Sequence, residues 1–116
     1  MNLLEIANKA HSNAQRLGKL DSHRTDIEKL KDVQGEYMEA IKALNESNHA
    51  NWTAFVTMID EYGFEKAFEE CIKDTYEQEL TDMLFVILTL MKDNDMDIMA
   101  HIKMGLEYNK LREKTP

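Results

Sequence analysis

Residues that interrupt helices are scarce in this sequence. It has one proline, Pro116, and four glycines among 116 residues. Proline removes a backbone donor and glycine loses the most conformational freedom on folding, so their scarcity leaves long stretches in which a helix can propagate. Good helix formers fill those stretches. The sequence therefore predicts an all-α chain that forms a single domain over residues 1–116.

Cysteine, long apolar runs and basic charge are also scarce. The single cysteine, Cys71, cannot form an internal disulfide, and Glu5 and Lys9 interrupt the apolar run that a signal peptide would need. The longest mainly apolar stretch, residues 83–91, has nine residues, against about 20 for a membrane-spanning helix. A net charge of −8 disfavours binding to nucleic acid or to an anionic membrane by charge alone. We therefore expect a cytoplasmic protein with no nucleic-acid or membrane partner.

The spacing of apolar residues predicts a bundle of four main helices, with a short helix inserted between the second and the third. The first helix is expected to stop at Gly18. Thr25 and Glu28 have the spacing of a capping box, which predicts the start of the second helix. The apolar residues of this second helix share one face, and we take Tyr37 as its middle. These residues are Ile27, Leu30, Val33, Tyr37, Ile41 and Leu44.

The second half of the chain is expected to contain the short helix and the last two main helices. Asn51 can cap the short helix, and Gly63 interrupts it. The third main helix then continues to residue 91, with a bend near residues 74–75. Because residues 83–91 are apolar on every side, we expect this segment to be buried in the bundle or against a partner subunit. The last helix is expected to fray by Lys114.

Two acidic groups could carry chemistry. Glu79 and Asp82 are three residues apart on a helix, so their carboxylates lie on the same side and can share a hard cation such as Mg²⁺ or Mn²⁺. A solvated acidic turn would have the same sequence, but the apolar segment that follows leaves these acids little room to point at water. On the second helix, at about 100° per residue, Glu36 borders the predicted core face, whereas Asp32 and Glu39 lie toward solvent.

The acidic second helix, the segment ELTDMLFVIL and the ending HIKMGLEYNKLR together resemble the MazG-like, all-alpha nucleoside triphosphate pyrophosphohydrolases. The signature of that family is E-E-x-x-E followed by E-x-x-D, and the resemblance covers the chain from about His11 to Arg112. It implies a helical homodimer or homotetramer that hydrolyses a (d)NTP to the monophosphate and pyrophosphate, as a house-cleaning enzyme of the nucleotide pool. It also implies Mg²⁺ held by four carboxylates on two helices, and Glu79 and Asp82 match the E-x-x-D pair.

The first acidic pair departs from the family pattern. One alignment places Glu36 at the last acid of E-E-x-x-E and Val33 where a metal-binding glutamate is expected. Two arrangements would restore a pair. A shifted register would join Glu36 to Glu39, which keeps the spacing but points Glu39 away from the predicted core face. Alternatively, the short side chain of Asp32 would have to reach in from the previous turn.

The final helix is implied to contact the nucleotide. Asn109 and Arg112 match the family, but Gly105 stands where many relatives carry a lysine, and Lys103 or Lys110 could partly replace that charge. The predicted catalytic residues are Glu36, Glu79 and Asp82, the predicted metal ligands are these three and Glu39, and the predicted substrate-binding residues are Asn109, Arg112 and Lys103. The alternative is a non-catalytic helical oligomer whose site is degenerate at Val33 and Gly105.

Overall fold

The structure is a computed structural model that describes residues 1–112, and its regular elements are six α-helices. The all-α prediction is thereby confirmed. The helices are α1 (Leu3–Arg16), α2 (Asp26–Asn45), α3 (Trp52–Tyr62), α4 (Phe64–Cys71), α5 (Tyr76–Asp93) and α6 (Ile98–Leu111). The expected fraying by Lys114 lies outside the described residues. None of the helices in residues 1–112 is long and apolar enough to cross a membrane.

The helix ends follow local sequence signals. Gly18 adopts a φ of 75°, and the N–H of Lys19 donates to the carbonyl of Ala14 at 2.9 Å, so the chain leaves α1 in a Schellman turn. The hydroxyl of Thr25 accepts from the Glu28 N–H at 3.1 Å, and the Glu28 carboxylate accepts from the Thr25 N–H at 3.3 Å. The predicted capping box therefore opens α2.

The third main helix of the sequence prediction is two helices in the structure. The chain breaks between Cys71 and Tyr76, where Asp74 has a left-handed φ of 64°. A left-handed residue cannot continue a right-handed helix, and Thr75 caps the new helix by accepting from the Gln78 N–H. The expected bend near residues 74–75 is thus a complete break.

Helix α5 is central, because both α1 and α2 pack along it. Helix α2 approaches it through Ala40 and Ala43, which are small and buried. At the far end of α5, Leu88 joins Ala7 of α1 and Ile98 of α6 in a compact apolar cluster. Helices α3 and α4 pack against each other. This arrangement brings the N-terminal half of α5 against the acidic stretch of α2.

The face of α2 that packs on α5 is not the face expected from the sequence. Tyr37, the expected middle of the core face, is 54% exposed, and its neighbours on that stripe, Ile27, Leu30 and Leu44, are also exposed. The buried stripe instead includes Ala40 and Ala43, because alanines allow the two helices to approach closely. The expected burial of residues 83–91 is likewise only partial within one chain, where Leu84, Phe85 and Ile87 remain exposed.

Candidate metal centre

Three glutamates from two helices meet where α2 crosses the start of α5. Glu36 and Glu39 are one turn apart on α2, and Glu79 lies in the first turn of α5. Each offers one carboxylate oxygen, and these oxygens all lie within 4.8 Å of one another. Hard divalent cations bind carboxylate oxygens at about 2.0–2.6 Å, so a single ion can lie between oxygens at this spacing. The acidic cluster, defined as Glu36, Glu39 and Glu79, therefore has the dimensions of a metal centre.

The burial of Glu79 distinguishes this cluster from a solvated group of acids. Glu79 is only 3% exposed. Its Oε2 and the Oε2 of Glu36 are buried without a hydrogen-bond partner among residues 1–112. Burying an unpaired carboxylate oxygen costs free energy, so folded proteins rarely retain one unless a proton or a cation compensates it. The unpartnered oxygens thus fit a bound cation.

The electrostatics of the cluster favour protons when no cation is present. Burial, together with the neighbouring Glu39 and Glu36, raises the pKa of Glu79 to about 8. Burial also raises the pKa of Glu36, and the charges of Glu39 and Asp82 add to that effect. The carboxylates therefore repel one another when ionised, and a divalent cation that replaces their protons would remove that repulsion.

Asp82 lies beside the cluster, one turn along α5 from Glu79. Its Oδ1 accepts a hydrogen bond from the Gln78 Nε2 at 2.9 Å, which fixes the direction of the carboxylate. Burial raises the pKa of Asp82 in spite of this hydrogen bond. Asp82 also lines a cavity of about 270 Å³ between α1, α2 and α5. Of the E-x-x-D pair, Glu79 therefore belongs to the acidic cluster, whereas Asp82 lies in the wall of the cavity.

The structure distinguishes the two arrangements considered for the α2 acids. Asp32 forms a two-pronged ion pair with Arg24, at 2.9 Å and 3.0 Å, and is not part of the cluster. Glu39, expected to point away from the core, lies with Glu36 and Glu79 instead. The reason is the rotation of α2 described above, since the face that meets α5 is centred near Glu36 and Ala40 rather than Tyr37. The pair at the cluster is Glu36 with Glu39, and Val33 is not part of it.

The predicted substrate-binding residues of α6 are not brought to these acids within one chain. Lys103 and Asn109 line a separate hollow with Leu106, Glu107 and Lys110. The Arg112 backbone N–H caps the end of α6 by donating to the Asn109 carbonyl at 3.3 Å. None of the four acids at positions 36, 39, 79 and 82 lines this hollow.

Comparison with known proteins adds no relative. No family model, curated protein or solved structure matches the chain. What the acidic cluster does is therefore inferred from its own geometry and from the residues that resemble the MazG-like signature.

Several cations that the sequence interpretation did not select line cavities together with the acids. Lys19, Arg24 and Lys31 line a second cavity, of about 230 Å³, together with Glu36 and Glu39. Lys19 and Arg24 belong to the connector between α1 and α2. The sequence shows that both residues lie close to the acidic start of α2. The position of Lys19 in space, however, depends on the Schellman turn at Gly18.

Glu77, next to the E-x-x-D pair, has a structural role. Its carboxylate accepts from the Ala50 N–H at 2.5 Å and pairs with the Nδ1 of His49 at 2.8 Å. Asn48 reinforces the same junction, since its carbonyl accepts from the Tyr76 N–H at 2.8 Å. These contacts attach the segment that follows α2 to the start of α5. They hold Glu79 against the α2 acids without using Glu77 in the cluster.

Proposed function

We propose that this protein is a Mg²⁺-dependent nucleoside triphosphate pyrophosphohydrolase, which converts a (d)NTP to the (d)NMP and pyrophosphate. The observation that carries the proposal is the acidic cluster, with two buried and unpartnered carboxylate oxygens within a set that fits one cation. The resemblance of ELTDMLFVIL to the E-x-x-D part of the MazG-like signature supports it. We place the activity in the cytoplasm, where nucleotide pools need such an enzyme.

The chain supplies metal ligands and a neighbouring carboxylate. Glu36, Glu39 and Glu79 would hold Mg²⁺, with Mn²⁺ as a substitute. A metal bound there would screen the phosphate charge and lower the pKa of the attacking water. Asp82, oriented by Gln78, would complete the ligand set or accept a proton from water. Water is the nucleophile, and the bond between the α- and β-phosphates breaks to give the two products.

The proposal is tested by incubating the purified protein with Mg²⁺ or Mn²⁺ and a panel of NTPs and dNTPs. At least one substrate is expected to release pyrophosphate and monophosphate in equal amounts. Glu79→Gln and Asp82→Asn should each abolish release, whereas Glu69→Gln, on the exposed side of α4, should not. Monophosphate accompanied by two molecules of inorganic phosphate, or activity that survives Glu79→Gln, would contradict the proposed reaction.

A second function, metal binding without hydrolysis, is favoured by one observation. Lys103 and Asn109 line a hollow that contains none of the acids, so one chain does not place them at the cluster. In that case Mg²⁺ would raise the melting temperature of the wild-type protein but not that of Glu79→Gln, while the whole nucleotide panel remained intact. This combination of results would identify a degenerate, non-catalytic relative.

We further propose that two copies of the chain form a homodimer, with a homotetramer as the larger alternative. The radius of gyration is 17.0 Å, against about 13 Å for a compact chain of this length. The accessible surface is 8856 Å², about 2,300 Å² more than a compact monomer of this mass would have. For two copies this excess amounts to about 4,600 Å², which lies within the roughly 2,000–5,000 Å² that obligate homodimers bury in total.

Two uncovered apolar stripes mark the surface that the second copy would cover. One is on α2 and the other is on the side of α5 opposite the cavity wall formed by Asp82 and Val86. The residues are Ile27, Leu30, Tyr37 and Leu44 on α2, and Leu80, Leu84 and Ile87 on α5. On α2 the spacings are three, seven and seven residues, which keep these side chains on one face, as in helices that pair lengthwise.

Sedimentation equilibrium tests the dimer. Leu30→Glu, in the middle of the α2 stripe, should convert the protein to monomers, whereas Gln15→Glu, at an exposed position of α1, should leave the mass unchanged. A wild-type protein that is monomeric at micromolar concentration would contradict the proposal.

A further inference from the structure

The two cavities beside the acidic cluster adjoin one another, and we call the two together the groove. The cavity of about 270 Å³ and the cavity of about 230 Å³ share four wall residues. These are Lys19, Asp32, Glu36 and Val86. The groove therefore runs along α1, the connector and α5, and it passes the α2 acids at its middle.

The two ends of the groove differ in chemistry. At one end, Ala14 of α1 and Phe85 of α5 line the cavity, together with the polar side chains of Asn13 and Thr89. The small side chain of Ala14 leaves room, and the half-exposed ring of Phe85 offers a flat apolar surface on which a base can stack. At the other end, Lys19, Lys31 and Arg24 line the cavity with the acids. A nucleotide that lies along the groove would have its base in the apolar slot and its phosphates beside the cations and the carboxylates.

Lys19 and Lys31 are cations of this groove that form no ion pair in the described part of the chain, but Lys19 lines both cavities whereas Lys31 lines only one. Arg24 is occupied, since its guanidinium donates to the carbonyls of Lys19 and Glu28 and to both oxygens of Asp32. The charge of Lys19 also opposes the rise in the pKa of Asp82 that burial causes. Arg24 thus clamps the connector onto α2, and the Schellman turn at Gly18 presents Lys19 beside Asp82.

We propose that Lys19 binds the phosphates of the nucleotide substrate, whose base lies in the slot between Ala14 and Phe85. This proposal rests on the proposed pyrophosphohydrolase function and specifies how the substrate lies in the site. It assigns to the connector the positive charge that the sequence resemblance expects on α6, where Gly105 replaces the lysine and Lys103 or Lys110 could partly substitute for it.

The phosphate part is tested by titrating inorganic tripolyphosphate into the protein with Mg²⁺ in a calorimeter. Losing one charge-assisted contact should weaken binding by about tenfold in Lys19→Ala. Lys9→Ala, an exposed lysine of α1, is the matched control, and Lys103→Ala represents the competing assignment. Both should bind like the wild type. Weaker binding in Lys103→Ala than in Lys19→Ala, or no binding by the wild type, would overturn the role of Lys19.

The base part is tested with an α,β-imido nucleoside triphosphate, which cannot be cleaved between the α- and β-phosphates. The wild type should bind at least one such analogue more tightly than tripolyphosphate. Ala14→Phe should remove that advantage while leaving the affinity for tripolyphosphate unchanged. If the Ala14→Phe variant does not fold, the variant with the smaller side chain, Ala14→Leu, should show a reduced advantage. Gln15→Phe, the adjacent exposed position, is the control. An unchanged advantage in the folded Ala14 variants would refute the slot.

Failure of this proposal and failure of the proposed function give different results. If the wild type releases pyrophosphate and Lys19→Ala retains the same kcat/KM, the enzyme assignment stands and the groove assignment is wrong. If the analogue binds in the way described but no pyrophosphate is released from any NTP, the groove assignment stands and the hydrolytic function is wrong.

Discussion

Replacing Glu79 by glutamine should stabilise the metal-free protein while removing its response to Mg²⁺. The carboxyl has a pKa of 4.5 in an unfolded chain and about 8 in the folded protein. It is therefore ionised in the unfolded state at pH 7 but must take up a proton on folding. At about 1.4 kcal/mol per pKa unit, this uptake costs on the order of 3 kcal/mol at pH 7. Glutamine has nearly the same shape and incurs no such cost.

The sign of the pH dependence follows from the raised pKa. Because the folded state binds this proton more tightly, the contribution of Glu79 to stability is greatest below about pH 4.5 and decreases as the pH rises toward 8. Burial also raises the pKa values of Glu36 and Asp82, so these two groups strengthen the trend. Glu79→Gln should therefore match the wild type at pH 4 and exceed it at pH 7, with a melting temperature higher by on the order of 10 °C.

Thermal unfolding at pH 4, 7 and 8, with EDTA or with Mg²⁺ and at one protein concentration, measures these effects. Mg²⁺ should stabilise the wild type most at pH 8, where the carboxylates are ionised, and should not stabilise Glu79→Gln. Glu69→Gln serves as the control for removing an exposed acid from the surface. The reasoning is refuted if Glu79→Gln lowers the melting temperature in EDTA at pH 7, or if its response to Mg²⁺ equals that of the wild type.

Three further predictions concern the structure that supports the site. Thr25→Ala removes the capping box of α2 and should reduce the free energy of unfolding by about 1 kcal/mol in urea, whereas an unchanged value would show that the cap is dispensable. Glu77→Gln should lower the melting temperature at pH 7 but not at pH 3, because its lowered pKa gives a stabilisation that is lost on acidification; an equal loss at both pH values would contradict the role of its hydrogen bonds with His49 and Ala50. Ala40→Leu should overpack the contact of α2 with α5 and cost roughly 1–3 kcal/mol in the same urea assay, and a neutral result would mean that the contact is loose.

Local signals predicted the helix ends well, because each depends on a few adjacent residues. The Thr25–Glu28 spacing and Gly18 each specify hydrogen bonds within one turn of the chain. The break at Asp74 was underestimated, since nothing in the composition of FEECIKDTYEQ shows that the chain needs a left-handed residue there. That break is set by the return of α5 onto the segment after α2, through contacts such as that of Glu77 with Ala50.

The orientation of α2 could not be predicted from its apolar pattern. The pattern identifies a stripe centred on Tyr37, and in a compact monomer that stripe would be the buried one. In the structure, the alanine side of α2 contacts α5 and the Tyr37 stripe remains exposed. When a helix has two apolar sides, the spacing of its apolar residues does not tell which side is buried. Only the position of the neighbouring helices determines this.

The sequence by itself determined that the chain is helical, where most of its helices begin and end, and that Glu79 lies next to an apolar segment, because these properties depend on neighbouring residues. The tertiary structure decided which acids meet. Glu39 joins Glu36 and Glu79 while Asp32 is held by Arg24, and Lys19 rather than a lysine of α6 lies beside Asp82. These outcomes depend on how one helix is rotated against another, and that rotation is determined jointly by side chains that are distant in the sequence.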